Sequence, residues 1–117
     1  MTRIHTDPNG VVVNAVTGKQ LSDGIIKDTT GHAYEVTAGD VTTFIDFQHG
    51  PVPAKGVNGM TSEALLVVLL HRTRHLNGLY PCAENEQAIV AMQGALAAFE
   101  ARTASRQARG VEGQYAL

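Results

Sequence analysis

The sequence predicts an α+β fold, with a small N-terminal antiparallel β-sheet followed by a C-terminal antiparallel helical hairpin whose last helix is long. Short β-branched runs separated by turn residues fill the first part of the chain, and apolar residues at helical spacing fill the second. The length of 117 residues gives room for one domain. We therefore expect a single domain over 1–117, made of a β-rich part with its connecting loop (1–59), the hairpin (60–110) and a tail (111–117).

The β-rich part begins with a turn at Asp7-Pro8-Asn9-Gly10, and a strand over 11–16 follows because Val is enriched in strands. Thr17-Gly18 either closes a tight hairpin onto the next run or ends the strand in a longer loop. Further short strands are predicted over 19–21, 25–27, 33–37 and 41–47. This spacing is typical of a small antiparallel meander.

The connecting segment 49–59 contains three Gly and two Pro. This composition predicts irregular structure between the sheet and the helices. Permissive Gly residues allow backbone N–H groups to approach a phosphate closely. A plain connecting loop is the alternative, since loops of this length commonly join elements.

The first helix of the hairpin is predicted over 61–76. Thr61 is a suitable N-cap, Glu63 suits the positive end of the helix dipole, and Asn77-Gly78 ends the helix. Its segment 65–70 is apolar on nearly all sides. Such a helix needs cover from more than one partner, namely the second helix, the sheet and a second subunit.

The last helix is predicted between Pro81 and Gly110, residues that are tolerated best just before and just after a helix. Its apolar stripe consists of Ile89, Met92, Leu96 and Phe99. The stripe then becomes basic, at the same steps of three and four, with Arg102, Arg106 and Arg109. Guanidinium groups one turn apart offer planar forks of donors to phosphate. Complementing the helix macrodipole is the alternative role for each.

Composition limits the class of protein. The net charge of −2 gives no overall basic field, so we expect no nucleic acid polymer as partner, and any bound anion must be held locally. The single cysteine, Cys82, allows no internal disulfide, fits a reducing cytoplasm and is interpreted as a small buried hydrophobe. The chain opens with no charged-then-apolar leader, and the apolar run 65–70 is too short to span a bilayer. We expect a cytoplasmic protein without membrane contact.

His71 and His75 lie one helical turn apart, a spacing that can hold a metal. A zinc site normally needs three protein ligands, and Arg72 and Arg74 would repel a cation. We therefore expect neither a metal nor a cofactor.

Several motifs share one spacing pattern. Pro-Cys-x-Glu-Asn begins at Pro81, Ala-Ile stands at 88–89, and Glu-Ala-Arg-Thr-x-x-Arg-x-x-Arg-Gly-Val-Glu-Gly begins at Glu100. Upstream stand Phe47-Gln48-His49-Gly50-Pro51 and Gly56-Val57-Asn58-Gly59. Over about residues 44–114, this pattern resembles the phage sponge family that comprises the Thoeris anti-defence and anti-CBASS proteins. The resemblance is greatest to the Thoeris-type branch and implies a small protein that binds cyclic nucleotide signals without cleaving them.

The resemblance also implies site residues. The proposed ligand-contacting positions are Asn85, Arg102 and Arg106, with His75, Gln48, His49 and Arg109 as further members. His75 stands where the family carries a base-stacking Phe, and Ala83 stands where it usually has Arg. The alternative for Asn85 is a cap of the first helical turn, and the alternative for His75 is a half-exposed surface histidine.

Asn85 and Arg102 are 17 residues apart. On one straight helix they lie about 25 Å apart, too far for one cyclic nucleotide to bridge. We expect separate pockets, or a pocket shared by two subunits that pair their long helices antiparallel, and hence at least a dimer, with a hexamer as the larger option. The leading hypothesis is a binding module for cyclic ADP-ribose isomers, and for cyclic di- or trinucleotides as well. The alternatives are a small enzyme that degrades the same signal, or a structural or nucleic-acid-associated phage protein.

Overall fold

The computed structural model describes residues 1–109 and confirms the α+β class, with β-strands followed by helices. The chain divides between His49 and Gly50 into two compact units. The first unit holds the strands and the second holds the helices. A single domain over the whole chain stays a prediction. Gly110 and the predicted tail lie outside the described residues.

The first unit contains six strands, β1 (Thr2–Thr6), β2 (Val12–Ala15), β3 (Gly18–Gln20), β4 (Ile26–Asp28), β5 (Ala33–Ala38) and β6 (Val41–Asp46). Four of them form an antiparallel sheet in the order β1-β2-β5-β6, and β3 pairs with β4 in a separate two-stranded sheet. The predicted meander is therefore interrupted by a β3–β4 hairpin inserted between β2 and β5. The alternative of a tight hairpin that joins β2 to β3 is wrong.

Strand β1 was not predicted, and it is a polar, fully exposed edge strand with a register irregularity between Arg3 and His5. Sheet pairing with β2, rather than side-chain pattern, makes this segment a strand. The two faces of the larger sheet differ in polarity. On one face Asn14 Nδ2 donates to Glu35 Oε1 at 3.1 Å, and on the other the rings of Tyr34 and Phe47 meet edge to face with centroids 5.8 Å apart.

Over residues 50–109, the second unit contains three helices, α1 (Val52–Lys55), α2 (Ser62–Leu79) and α3 (Ala83–Ala108). The short α1 corrects the prediction that 49–59 is wholly irregular. Pro51 is its N-cap and Pro53 lies in the first turn, where a missing N–H costs nothing. Gly56, at φ 70°, ends the helix in a conformation that favours glycine.

Helix α2 begins as predicted, since Thr61 accepts a hydrogen bond from the Ala64 N–H at 3.1 Å. The predicted end is wrong: Asn77 and Gly78 lie inside the helix, and Tyr80 is its C-cap. The Asn77 side chain instead accepts the backbone N–H of Cys82 at 3.0 Å. Asn77 therefore closes the connection to α3 rather than ending α2.

Helices α2 and α3 pack as an antiparallel hairpin, but the packing buries little. Among the described residues, the buried hydrophobic side chains are Leu70 in α2 and Ala33 in the first unit. Val68 of α2 is 62% exposed and Val90 of α3 is 68% exposed. The predicted surplus of apolar surface on α2 is therefore present. Within residues 1–109, no helix has the length and apolar character needed to cross a membrane.

Candidate functional site

The inner side of α3 follows one regular stripe from its first turn to its last. Its members, at alternating steps of four and three, are Asn85, Ile89, Met92, Leu96, Phe99, Thr103 and Arg106. Most of them are partly or fully shielded, whereas residues between them are mainly exposed. The stripe thus begins with an amide, continues with apolar packing against α2, and ends with a guanidinium group.

Asn85 lies in the first turn of α3, at the end of the hairpin that carries the connection. The helix N-cap is Cys82, whose Sγ accepts the backbone N–H of Asn85 at 3.4 Å. The alternative that Asn85 caps the helix is therefore wrong, because only its backbone amide takes part in the cap. Cys82 is exposed, so its interpretation as a buried hydrophobe is also wrong.

The arginines occupy the opposite end of α3. Arg106 is 4% exposed, whereas Arg102 and Arg109 are exposed. The Arg109 Nε–H donates to the Ser105 carbonyl oxygen at 3.5 Å, and the Arg109 backbone N–H bonds to carbonyls of the last turn. Arg109 therefore bonds to carbonyl groups at the C-terminus of α3, which fits the alternative that its charge complements the helix macrodipole.

The three guanidinium groups act on one another electrostatically. Burial lowers the pKa of Arg106 below its ordinary value, and the charges of Arg102 and Arg109 lower it further. The group remains a cation at physiological pH. A cluster of like charges has a positive potential that a bound anion would relieve. The last two turns of α3 thus carry a local positive charge, and binding of phosphate there stays a prediction.

A side-chain hydrogen bond holds this basic end to α2. Thr103 donates through Oγ1 to Glu63 Oε2 at 2.7 Å, and both residues are partly buried. Thr103 follows Arg102 directly and precedes Arg106 by one turn. Sequence reasoning assigned Glu63 to the helix dipole only and gave Thr103 no role.

His75 is exposed on α2, two residues before Asn77. This agrees with the alternative that His75 is a surface histidine. Tyr80, in the connection, is 75% exposed and offers a second accessible ring at this end of the hairpin. Among the residues that the structure describes, no group of three or more His, Cys, Asp or Glu side chains is arranged to hold a metal. The two histidines of α2 thus have no third ligand of these types within that part of the chain.

An open groove of about 480 Å³ lies along the first turns of α3. Its lining residues are Ala83, Glu86, Gln87, Val90 and Ala91. None of these is a predicted site residue, and Glu86 would repel an anion. The groove therefore does not coincide with the predicted phosphate contacts.

Gln48 and His49 belong to the other unit, where they follow β6. The ring of His49 stacks on that of His32 with centroids 3.9 Å apart and planes inclined by 8°. Burial lowers the pKa of His49; the charges of His32 and Lys27 lower it further, and Asp28 opposes them. His32 was not predicted, because it lies 17 residues before His49 in sequence. The Phe47 N–H donates to the His32 carbonyl at 2.7 Å, which brings the two segments together.

Helix α3 runs without a break from Asn85 past Arg102. At a rise of 1.5 Å per residue, the separation of the two residues along its axis is about 25 Å. The structure therefore places these two residues at opposite ends of the hairpin and does not bring them together within one chain.

Comparison with known proteins adds two matches. The model of the family described as "Acb2/Tad1, hairpin domain" matches residues 39–104. That stretch contains Asn85 and Arg102 and ends before Arg106. The protein "Thoeris anti-defense 1" of Bacillus phage SBSphiJ7 is 38% identical over 90 residues, which cover 73% of this chain and 63% of that protein. The match thus spans less than two thirds of the relative's length.

The lowered pKa of His49 predicts an acid-sensitive first unit. The folded state disfavours the protonated imidazole, so the unfolded chain binds more protons below its ordinary pKa of 6.5. The stability that the neutral ring contributes is present above pH 6.5 and is lost as pH falls. Thermal unfolding of wild type between about pH 7.5 and 5.5 should show this loss, and His49→Gln should show a weaker pH dependence over that range. His5→Gln, on the exposed strand β1, is the control; an unchanged pH dependence in His49→Gln would contradict the assignment.

Proposed function

Because this chain belongs to the Acb2/Tad1 hairpin-domain family, we propose that it is a phage anti-defence sponge that acts in the host cytoplasm. The family match confirms the resemblance found in the sequence. The protein binds cyclic nucleotide immune signals, cyclic ADP-ribose isomers first and cyclic di- or trinucleotides as well, and holds them without cleavage. Sequestration then prevents the signal from reaching the bacterial effector. The name of the relative, which refers to Thoeris anti-defence, supports this direction.

The observation that carries the proposal is the arginine cluster at the end of α3. The chain as a whole is negative, yet three guanidinium groups lie within two helical turns. Their mutual repulsion favours an anion between them, and planar guanidinium groups bind phosphate oxygens through paired hydrogen bonds. A diphosphate-containing ligand meets this requirement. In the proposal, Arg102 and Arg106 bind phosphate, and Arg109 contributes charge from the helix end.

The remaining contacts of the proposal are to the nucleoside. Asn85 supplies an amide for ribose hydroxyls, and the exposed ring of His75 or Tyr80 supplies a flat surface for the base. Gln48 and His49, in the first unit, stay predicted contacts by resemblance alone. Since Asn85 and Arg102 lie about 25 Å apart on one helix, the proposed pocket uses Asn85 of one chain and the arginines of another.

Recovery of the ligand tests the function directly. The protein is incubated with each cyclic ADP-ribose isomer or cyclic oligonucleotide, washed by filtration and denatured by heat. We expect one compound to be retained and then released unchanged. Release of a cleaved product would favour the enzyme alternative, and retention of none of the compounds would contradict the proposal. Duplex DNA retained only at low salt would instead favour the nucleic-acid-associated alternative.

The arginine cluster generates a prediction about affinity. Arg102→Ala should weaken binding of the retained compound by about 10- to 150-fold, the range for one hydrogen bond to a charged group. Arg102→Lys should restore only part of this loss, because the ammonium group lacks the planar fork. Of the alanine substitutions at Arg102, Arg106 and Arg109, the one at Arg109 should weaken binding least. Calorimetric titration measures each affinity, and melting temperature monitors the fold.

Arg74→Ala, an exposed arginine in α2 outside the cluster, is the matched control and should bind like wild type. Wild-type affinity in the Arg102→Ala/Arg106→Ala double variant would refute the assigned phosphate contacts. Because Arg106 is buried, the corresponding single variant should also lower the melting temperature, which Arg102→Ala should not.

The two-chain pocket predicts that the ligand-binding form is an oligomer. Exposed apolar side chains on both helices of the hairpin provide surface for assembly. Light scattering should give the mass of a dimer at least, with a hexamer as the larger option, and Val68→Lys should lower that mass by placing a charge in exposed apolar surface. A monomer that binds the compound at wild-type affinity would exclude the shared pocket.

A further inference from the structure

Two side chains outside the predicted ligand set form a hydrogen bond between α2 and the arginine end of α3. Thr103 Oγ1 donates to Glu63 Oε2 at 2.7 Å across the helix–helix interface, and the two residues are 40 apart in sequence. Glu63 lies in the first turn of α2, and Thr103 lies in the last two turns of α3. The bond therefore joins α2 and α3 at the open end of the hairpin, opposite the short segment that connects the two helices.

The position of Thr103 relates this bond to the arginines. On an α-helix successive residues are rotated by 100°, so Arg106 lies about 60° from Thr103 around the axis, and Arg102 lies about 100° from Thr103 on the same side, about 40° beyond Arg106. Rotation or sliding of the last turns relative to α2 would move both guanidinium groups together. Helix ends fray readily, and residue 108 is already the last of α3. A short hydrogen bond to a carboxylate opposes both motions.

The opposite end of the hairpin is held differently. There the Asn77 side chain accepts the Cys82 backbone N–H at 3.0 Å, and the short connection itself limits movement. The helices thus have a fixed end near Asn85 and an end near Arg102 whose alignment depends on side chains.

We propose that Glu63 and Thr103 are positioning residues. They hold the last turns of α3 at the rotation and axial position relative to α2 that allow Arg102 and Arg106 to bind phosphate. The proposal rests on the proposed function for its binding consequence. Its structural part concerns the ligand-free protein and can be tested alone.

The first measurement is hydrogen exchange of the backbone amides of residues 104–109 in the ligand-free protein. Thr103→Val keeps the shape of the side chain and removes the hydroxyl donor. It should speed exchange of these amides by about tenfold while leaving the middle of α3 unchanged. Thr103→Ser keeps the hydroxyl and should restore slow exchange. Thr73→Val is the matched control, because Thr73 Oγ1 donates within α2, to the Leu69 carbonyl at 2.7 Å.

The second measurement is the affinity for the cyclic ADP-ribose isomer that wild type retains. Thr103→Val and Glu63→Ala should each weaken binding by about 3- to 10-fold, less than the loss of a direct bond to phosphate, because they act only through the position of the arginines. The double variant should be no weaker than either single one, because both remove the same bond. Thr103→Ser should recover wild-type affinity, and Thr73→Val should keep it.

The outcomes separate the two proposals. Unchanged exchange at 104–109 in Thr103→Val overturns the positioning role whether or not a compound binds. Faster exchange with unchanged affinity also overturns it, because the arginines would then not depend on the bond. If wild type retains no isomer, the proposed function fails, and the exchange result alone decides whether Thr103 fixes the helix end.

Discussion

The length of one unbroken helix, α3, sets the distance between the two kinds of group that we assign to ligand binding. Helix α3 comprises 26 residues and continues through Gly94, although glycine weakens helices. An amide at its start and guanidinium groups near its end are consequently held about 25 Å apart. A small ligand that needs both kinds of group must obtain them from two chains.

The distribution of apolar residues is consistent with this requirement. Hydrophobic residues make up 44% of the sequence, yet Ala33 and Leu70 are the buried ones among residues 1–109. A pair of helices has one shared face and two outer faces, so apolar side chains such as Val68 and Val90 remain in solvent. Burying this surface between copies would stabilise an assembly and would set the long helices beside one another. Assembly and ligand binding would then depend on the same helices.

Sequence patterns predicted the parts of the fold that depend on local preference. The β-branched runs marked β2, β5 and β6, and the Thr61 cap and the regular steps of α3 marked the hairpin. The exposed strand β1 has no such pattern. Gly78, which the sequence predicts at the end of a helix, lies within α2, and the Asn77 side chain accepts a hydrogen bond from the connection to α3. The steps of the arginines predicted their clustering. They did not predict that Arg106 is buried while Arg102 is exposed, because that difference depends on packing that a single helix does not contain. The stacking of His32 on His49 likewise depends on how distant strands are paired.

In the proposed arrangement, one pocket takes Asn85 from one chain and Arg102 from another, and mixing of subunits provides its test. Asn85→Ala and Arg102→Ala variants are purified separately, each shown to bind the retained compound weakly, then unfolded together and refolded as a mixture. Random assembly should restore the complete pair in about one quarter of the pockets, giving a fraction of sites with wild-type affinity in calorimetric titration. If the mixture binds no better than the separate variants while mass spectrometry of the intact complexes shows mixed oligomers, no pocket combines Asn85 of one chain with Arg102 of another, which contradicts the proposed arrangement.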